Sequence, residues 1–488
     1  MADEEKQEAG PANILEEIIQ DGKMALDKEQ VPYAEDLISE FVEQVLAEGD
    51  TVSADAVSAI NDRIAEIDDL LSAQLNEIMH HSDFQELEAS WRGLSHLVFN
   101  TETGEMMKIR VLNASRADLQ KDLEKAVEFD QSQLFKKLYE EEYGTFGGAP
   151  YGLLVGDFYF GRHPQDIAFL EKISNVAAAA HAPFIAGTSP KMFDMESFTE
   201  LSTPRDLSKI FESAEMIKWR AFRDTEDSRY VALAMPRMLM RLPYGPDTKP
   251  VEEVNFVEST DGYDHSSYAW GNAAYGLAQR ITNSFSLHKW CTAIRGVENG
   301  GVVQGLPAHT FSTDEGDIAL KCPTEIAITD RREKELDSMG FISLVHCKGT
   351  DYAAFFGGQT ANKPKLYNTD SANANARLSG MLPYIMASSR FAHYLKVMMR
   401  DKVGSFASRE NVETFLNRWI MGYVVDKDDV GQDLKAQYPL RDARVDVVEV
   451  PGKPGSYKAT VFLRPHFMLE ELSTSLRLVA ELPAPAGG

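Results

Sequence analysis

Regular patterning of apolar positions begins just after Pro32. Leu37, Ile38, Phe41, Val42, Val45 and Leu46 recur at the interval of one helical face, and Gly49 stands where such a helix would end. A second helix is predicted from Val57 to Ile78. There Val57, Ile60, Ile64, Ile67, Leu71, Leu75 and Ile78 make one continuous stripe, with Ser53 placed to cap it. Asp62, Glu66, Asp68 and Asp69 lie mostly off that stripe. Two readings fit: surface helices packed on their own domain, or a helical arm that docks on another subunit. Residues 1–30 are weakly patterned and read as a flexible arm with a short helix around Ile14 to Ile19.

The middle of the chain alternates between strand and helix periods. Tyr151 to Phe160 reads as a buried strand, Pro164 to His181 as a helix with Pro164 in its first turn, and Pro183 to Ala186 as a second strand. Such a βαβ unit predicts a sheet that is parallel in part. Arg229 to Leu242, Glu325 to Ile328 and Phe341 to His346 are further strand candidates. Gly271 to Trp290 reads as a helix, and Asn368 to Asn375 as a polar loop. Near the C-terminus, alternation through Val445, Val447 and Glu449, then through Tyr457, Ala459, Val461 and Leu463, flanks a Pro/Gly-rich turn and predicts a β-hairpin. Apolar residues fall on both faces of its strands, which predicts cover on both sides. Leu476, Leu478 and Leu482 suggest one more strand. The fold class is therefore mixed α/β: a helical N-terminal region, a mixed-sheet body and C-terminal strands.

One helix carries a directed charge pattern. Between Pro383 and Lys402, Phe391, Leu395, Met398 and Met399 share one face, while Arg390, His393, Lys396 and Arg400 share the opposite one. Six bases and one acid lie between Arg377 and Arg409. The pattern fits a solvated face or a surface aimed at an acidic partner.

Charge sharpens this. The 488 residues carry a net charge of −27, and the first 90 hold 24 acids against 4 bases, leaving the remainder close to balance. Neither nucleic acid nor an anionic membrane is expected as the main partner, since both require clustered positive surface. Cys291, Cys322 and Cys347 are too few and too scattered for a disulfide framework or a structural zinc site. A start without a basic, apolar leader and a chain without a long apolar run predict a cytoplasmic location and no membrane insertion. No G-x-G-x-x-G, P-loop, G-x-S-x-G or H-E-x-x-H motif occurs, so no cofactor, metal or catalytic residue is predicted. His80-His81 reads as a cap or a surface pair, and His346-Cys347 as a buried strand-end pair rather than a nucleophile with its base.

Five segments taken in order resemble a known family. Asp68 to Val98 (DDLLSAQLNEIMHHSDFQELEASWRGLSHLV), Phe184 to Phe193 (FIAGTSPKMF), Phe222 to Gly245 (FRDTEDSRYVALAMPRMLMRLPYG), Trp270 to His309 and the tail Phe462 to Pro483 resemble the large subunit of the type VI secretion contractile sheath, the TssC/VipB type. The resemblance spans roughly residues 50–488. It implies a non-enzymatic subunit that pairs with a small sheath subunit of the TssB/VipA type and with copies of itself. The polymer surrounds stacked inner-tube hexamers of the Hcp type on a baseplate. Contraction propels the tube, and a ClpV-type AAA+ ATPase acting through the small subunit dismantles the sheath. The resemblance also places a shared intersubunit sheet near the C-terminus, here at Val445, Val447, Tyr457, Val461, Leu463, Leu476 and Leu478. The charge pattern separately makes Arg390, His393, Lys396 and Arg400 candidates for inner-tube contact. The expected organisation is an acidic arm and helix over 1–50, a helical region over 51–100, an α/β body over 101–376, and a basic helix with C-terminal strands over 377–488. A cytoplasmic α/β enzyme with scattered catalytic residues, or a soluble adaptor, are the competing expectations.

Overall fold

The computed structural model describes residues 29–48, 56–203, 206–252, 254–401, 409–427, 430–449 and 457–466. Two compact units are present, one of residues 1–75 with 250–257, the other of 76–249 with 258–488. The first contains α1 (Val31–Glu48) and most of α2 (Ala56–Met79), both at the predicted positions. Pro32 sits in the first turn of α1, where its missing N–H breaks no hydrogen bond. Along α2, Ile60, Ile64, Ile67, Leu71, Leu75 and Ile78 are all exposed. Ser53, Gly49 and the segment Ile14 to Ile19 lie outside the described residues.

The second unit starts with α3 (Ser82–Phe99). His81 caps it, its Nδ1 accepting the Asp83 N–H at 3.3 Å, in line with the cap role expected of that residue. The βαβ unit follows as β1 (Leu154–Phe160), α4 (Pro164–Ala180) and β2 (Phe184–Thr188), with β1 and β2 parallel. His163 caps α4, and His181 ends it in the left-handed conformation at φ 50°. Next come β3 (Val231–Met235), α5 (Ala273–His288), β4 (Val302–Val303), α6 (Asp330–Ser338), β5 (Phe341–His346) and β6 (Ala353–Phe355). These strands form one sheet in the order β1-β2-β3-β5-β6-β4, parallel from β1 to β5 and antiparallel beyond.

Alternation of side chains divides the core into two layers across this sheet. Phe184, Ala186, Val231, Leu233 and Phe341 face one side, with α4, Phe193, Trp219 and Phe222. Ile185, Ala232, Ala234, Ile342 and Leu344 face the other, with α5. A parallel sheet is stable only with both faces covered, which explains why these strands are apolar throughout rather than alternating. Gly93 lets α3 lie close on α5, since a Cβ there would come within 2.3 Å of the Tyr275 ring.

A third core belongs to the C-terminal region. The helices α7 (Leu382–Asp401) and α8 (Arg409–Met421) and the hairpin β7 (Leu440–Glu449) with β8 (Tyr457–Pro465) gather Trp290, Phe391, Leu395, Leu416, Ile420, Val445 and Val447.

Three sequence expectations are corrected. Arg229 to Leu242 is not one strand: β3 stops at Met235 before Pro236, which has no N–H to continue the ladder, and Met238–Leu239 pairs instead with Trp270–Gly271. Glu325 to Ile328 is irregular, apart from the backbone bond of the Glu325 N–H to the Arg237 carbonyl. Asn368 to Asn375 is not a loop. Asp370–Ser379 is helical, because Thr369 caps it through the Ala372 N–H and the small residues Ser371, Ala372, Ala374 and Ala376 tolerate the helix.

A buried ion cluster ties α3 to the body of the second unit. Arg241 donates to Glu88 at 2.6 Å and to Glu258 at 2.5 Å, and Arg92 adds a bond to Glu88 at 2.7 Å. Burial works against a charged Glu88, but the two arginines outweigh it and hold its carboxyl below the usual range. Removing Arg241 would take the arginine from the buried Glu258 and leave Glu88 with Arg92 alone. The expected outcome for Arg241→Ala is a loss of about 3–5 kcal/mol of unfolding free energy in denaturant titration, with Arg241→Lys recovering only part.

Candidate assembly interface

The hairpin pairs Ala443 with Leu463, Val445 with Val461 and Val447 with Ala459. These six side chains share one face and pack on α7 and α8. The opposite face carries Arg444, Asp446, Val448, Lys458, Thr460 and Phe462. Val448 is 50% exposed and Phe462 is 49% exposed, with the Arg444 guanidinium over the Phe462 ring at 4.6 Å. The expectation of cover on both faces is thus met on one face only within this chain. Of the residues read as intersubunit contacts, Val445, Val447, Val461 and Leu463 turn their side chains into their own core. Tyr457 opens β8, and Leu476 and Leu478 lie outside the described residues.

What the hairpin can offer a partner is its backbone. The Val445 N–H donates to Asn417 Oδ1 at 2.9 Å, and Asn417 Nδ2 donates back to the Val445 carbonyl at 2.7 Å. The Val447 N–H donates to Glu413 at 3.2 Å. Both peptide groups of Val445 therefore point away from β8, so Val445 and Val461 form a non-hydrogen-bonded pair. By the same alternation Ala459, Val461 and Leu463 direct their N–H and C=O groups to the outer edge of β8. The β7 edge is closed by two α8 side chains. The β8 edge carries no such closure among the described residues. Sequence reading missed Asn417 and Glu413. Their signal was present as two polar residues four apart on α8, beside the apolar positions Val412, Leu416 and Ile420.

The basic face of α7 is occupied from within. Arg390 lies over the rings of Phe285 at 4.6 Å and Trp290 at 4.8 Å and donates to the Lys289 carbonyl. His393 Nε2 donates to the Ala180 carbonyl at 2.8 Å. Lys396 sits over Tyr139 at 5.8 Å and Tyr143 at 5.4 Å, two rings that stack with Phe135 into a column. Arg400 donates to the Tyr143 carbonyl at 3.0 Å. The face, which from the sequence fits a solvated surface or one aimed at an acidic partner, makes these contacts within its own chain while Lys396 and Arg400 stay exposed. Periodicity identified the four residues as neighbours but could not see the 135–143 segment beside Lys396 and Arg400.

Among the described residues no cluster of three or more metal-ligand side chains occurs, and no helix is long and apolar enough to cross a membrane. Exposed apolar side chains among the described residues include the α2 stripe and Leu87 and Trp91 of α3.

Packing around α7 makes the fold acid-sensitive. Burial, with Lys396 and His393 nearby, pushes His181 down to about 4, and burial likewise lowers His393. A histidine whose folded pKa is depressed contributes fully above its unfolded value. That contribution is lost as pH falls from about 6.5 toward 4, because the unfolded chain binds the proton first. Thermal melting should therefore weaken over this window. His181→Asn, which keeps the left-handed cap but cannot titrate, should show a shallower decline; an identical pH slope would remove His181 from this account.

Sequence and fold comparisons bear on these surfaces. Residues 61–362 match the EvpB/VC_A0108 tail sheath N-terminal domain, and residues 371–482 match the EvpB/VC_A0108 tail sheath gpW/gp25-like domain. A curated relative, the type VI secretion system sheath protein TssC1 of Pseudomonas aeruginosa, is 54% identical over 453 residues, covering 92% of this chain and 91% of its own. Solved structures give weaker matches. The sheath complex of an extracellular contractile injection system in the contracted state has TM-score 0.35 at 11% identity, covering 62% of this chain and 66% of that one. The anti-feeding prophage baseplate has TM-score 0.34 at 11% identity, covering 63% and 64%. The two family matches together take in the α/β body and the C-terminal hairpin, and with the TssC1 likeness they establish that the chain belongs to the VipB (TssC) family of type VI secretion tail sheath proteins.

Proposed function

We propose that this chain is the large structural subunit of a contractile sheath, joined to neighbouring chains by strand addition at its C-terminal hairpin. The observation that carries the proposal is the hairpin itself: one face is packed, while the other face and the β8 edge are left open. An unpaired strand edge invites pairing with another chain, and a protein that keeps one has a use for it. Main-chain hydrogen bonds suit a lattice that must change geometry without parting, because they hold while flanking linkers bend. The intersubunit contact at Ala459, Val461 and Leu463 is then made by peptide groups, with the inward Val445, Val447, Val461 and Leu463 side chains keeping the edge rigid. Val448 and Phe462 add apolar surface beside it.

The α2 stripe supplies a second joint, a helix-on-helix contact with a small subunit of the TssB/VipA type. Copies of the chain and its partner would surround an inner tube of the Hcp type on a baseplate, and a ClpV-type ATPase would recycle the small subunit. Contact with the tube is assigned to the exposed Lys396 and Arg400 of this α7 face, beside Arg390 and His393, which also bind rings and a carbonyl of their own chain. Such a subunit does its work without catalysis. A small preference of each protomer for the contracted lattice, summed along the polymer, drives the stroke.

Two variants test this reading during co-expression with the neighbouring small-subunit gene product. Ala459→Pro removes a donor from the outer β8 edge but none from the β7–β8 ladder. The purified chain should melt normally, and negative-stain images should lose the tubular polymers; tubes of ordinary length would sink the strand-addition reading. The pair Ile64→Asp with Ile67→Asp should weaken co-purification of the small subunit at least about tenfold, from about 1.5–3 kcal/mol for each buried isoleucine. Undiminished co-purification would assign the α2 stripe another role.

A further inference from the structure

A buried turn beginning at Gly357 and Gly358 lies at the boundary between the two family-matched segments, residues 61–362 and 371–482. The Gly358 carbonyl accepts the N–H of Leu382, the first residue of α7, at 2.8 Å. The Thr360 N–H donates to the Gly380 carbonyl at 2.9 Å, and the Thr360 hydroxyl and Gln359 side-chain amide donate to the same oxygen. The Ala361 N–H donates to the Val231 carbonyl of β3 at 2.8 Å. These few residues fasten the start of α7, and with it the C-terminal region, to the α/β body.

Two acids of α6 sit against this turn. Glu333 and Asp337 are four positions apart and share one helical face. Asp337 Oδ1 accepts the N–H groups of Gly358 and Gln359, each at 3.1 Å, and Arg377 stands 3.6 Å from the other oxygen. Donors of this kind favour the ionised form of Asp337. Glu333 is 9% exposed, and among the described residues its carboxyl makes no hydrogen bond or ion pair. A Cβ on Gly357 would come within 2.5 Å of Asp337 Oδ1 and 2.8 Å of Glu333 Oε1. Both carboxyl groups therefore converge on a residue that has no side chain to separate them. An ionised Glu333 would set a second negative charge beside Asp337, out of water and without a donor. Burial and then Asp337 push its carboxyl up to about 7, with Asp330 adding to the rise and Arg295 and Lys334 opposing it. Asp330 and Lys334 belong to α6 itself, Arg295 to the segment after α5, and Arg377 to the 370–379 helix.

We propose that the Glu333–Asp337 pair is a proton-operated latch on this joint. With a proton on Glu333 the pair carries a single negative charge, which the Gly358 and Gln359 N–H groups and Arg377 satisfy. Loss of that proton places two like charges over Gly357. Their repulsion is relieved by parting the turn from α6, which loosens the seat of the first turn of α7. An acid whose folded pKa is raised contributes its stability below the unfolded value. That contribution is lost as pH rises from 4.5 to about 7. The latch is tight in mild acid and loose above neutrality, the reverse of the direction set by His181.

The test is hydrogen–deuterium exchange of the full-length chain at about pH 6 and about pH 8, with the intrinsic pH dependence of exchange divided out. Peptides covering residues 355–362 should show an opening equilibrium about tenfold higher at the upper pH, while peptides of α5 stay unchanged. Glu333→Gln has the same shape but cannot ionise, and it should abolish the rise. Asp337→Asn, for use if Glu333→Gln does not fold, removes the like charge and should shrink the rise. An undiminished rise in the variant would overturn the proposal. So would a flat response in the unaltered chain, or an equal rise across α5, which would mark global loosening rather than a latch.

Discussion

A strand with neighbours on both sides has its peptide groups filled, and a strand at the margin must be closed by other means. The architecture follows from how this chain meets that demand. In the body, β2, β3, β5 and β6 each lie between two neighbours, and the antiparallel turn-back through β6 to β4 ends the sheet with a two-residue strand. In the C-terminal region a hairpin of only two strands has two margins. Asn417 fills one by offering an amide donor and acceptor where a strand residue would offer its own. The other margin, along β8, has no such closure among the described residues.

Charge follows a similar economy. The cations of α7 look in sequence like a surface for an acidic partner, yet they sit on Trp290, Tyr139 and Tyr143 and on carbonyls of their own chain. Rings take up the flat guanidinium and the ammonium without a countercharge. The cation-rich stretch therefore holds together the α4 end, the 135–143 segment and α7. The buried Glu88 and Glu258 are neutralised by Arg241 between them.

Much of this was legible from the chain. The 3.6-residue period located α1, α2, α4, α5 and α7, buried apolar runs located β1 and β5, and alternation located the hairpin, because each is long or strongly patterned. What escaped was set by distant partners. Glu325 reads as strand by its neighbours, but its carboxylate is bound by Arg237 and its backbone by the same segment. Asp370–Ser379 reads as loop by composition until Thr369 is seen to cap it. The hairpin residues were correctly placed in one element, whereas the direction of their peptide groups depends on Asn417, 28 positions from Val445.

The register between β3 and β5 has a consequence for the order in which the protein takes shape. Leu233 pairs with Phe341 and Ala234 with Ile342, so the parallel sheet cannot close until more than a hundred further residues have been made. Ribosomal synthesis runs from the N-terminus at about 5–20 residues per second, which delays that closure by several seconds at least. The hairpin, built from near neighbours such as Val447 and Ala459, comes later still but needs no such wait. The edge of β8 therefore forms only after the body it belongs to has had the means to fold.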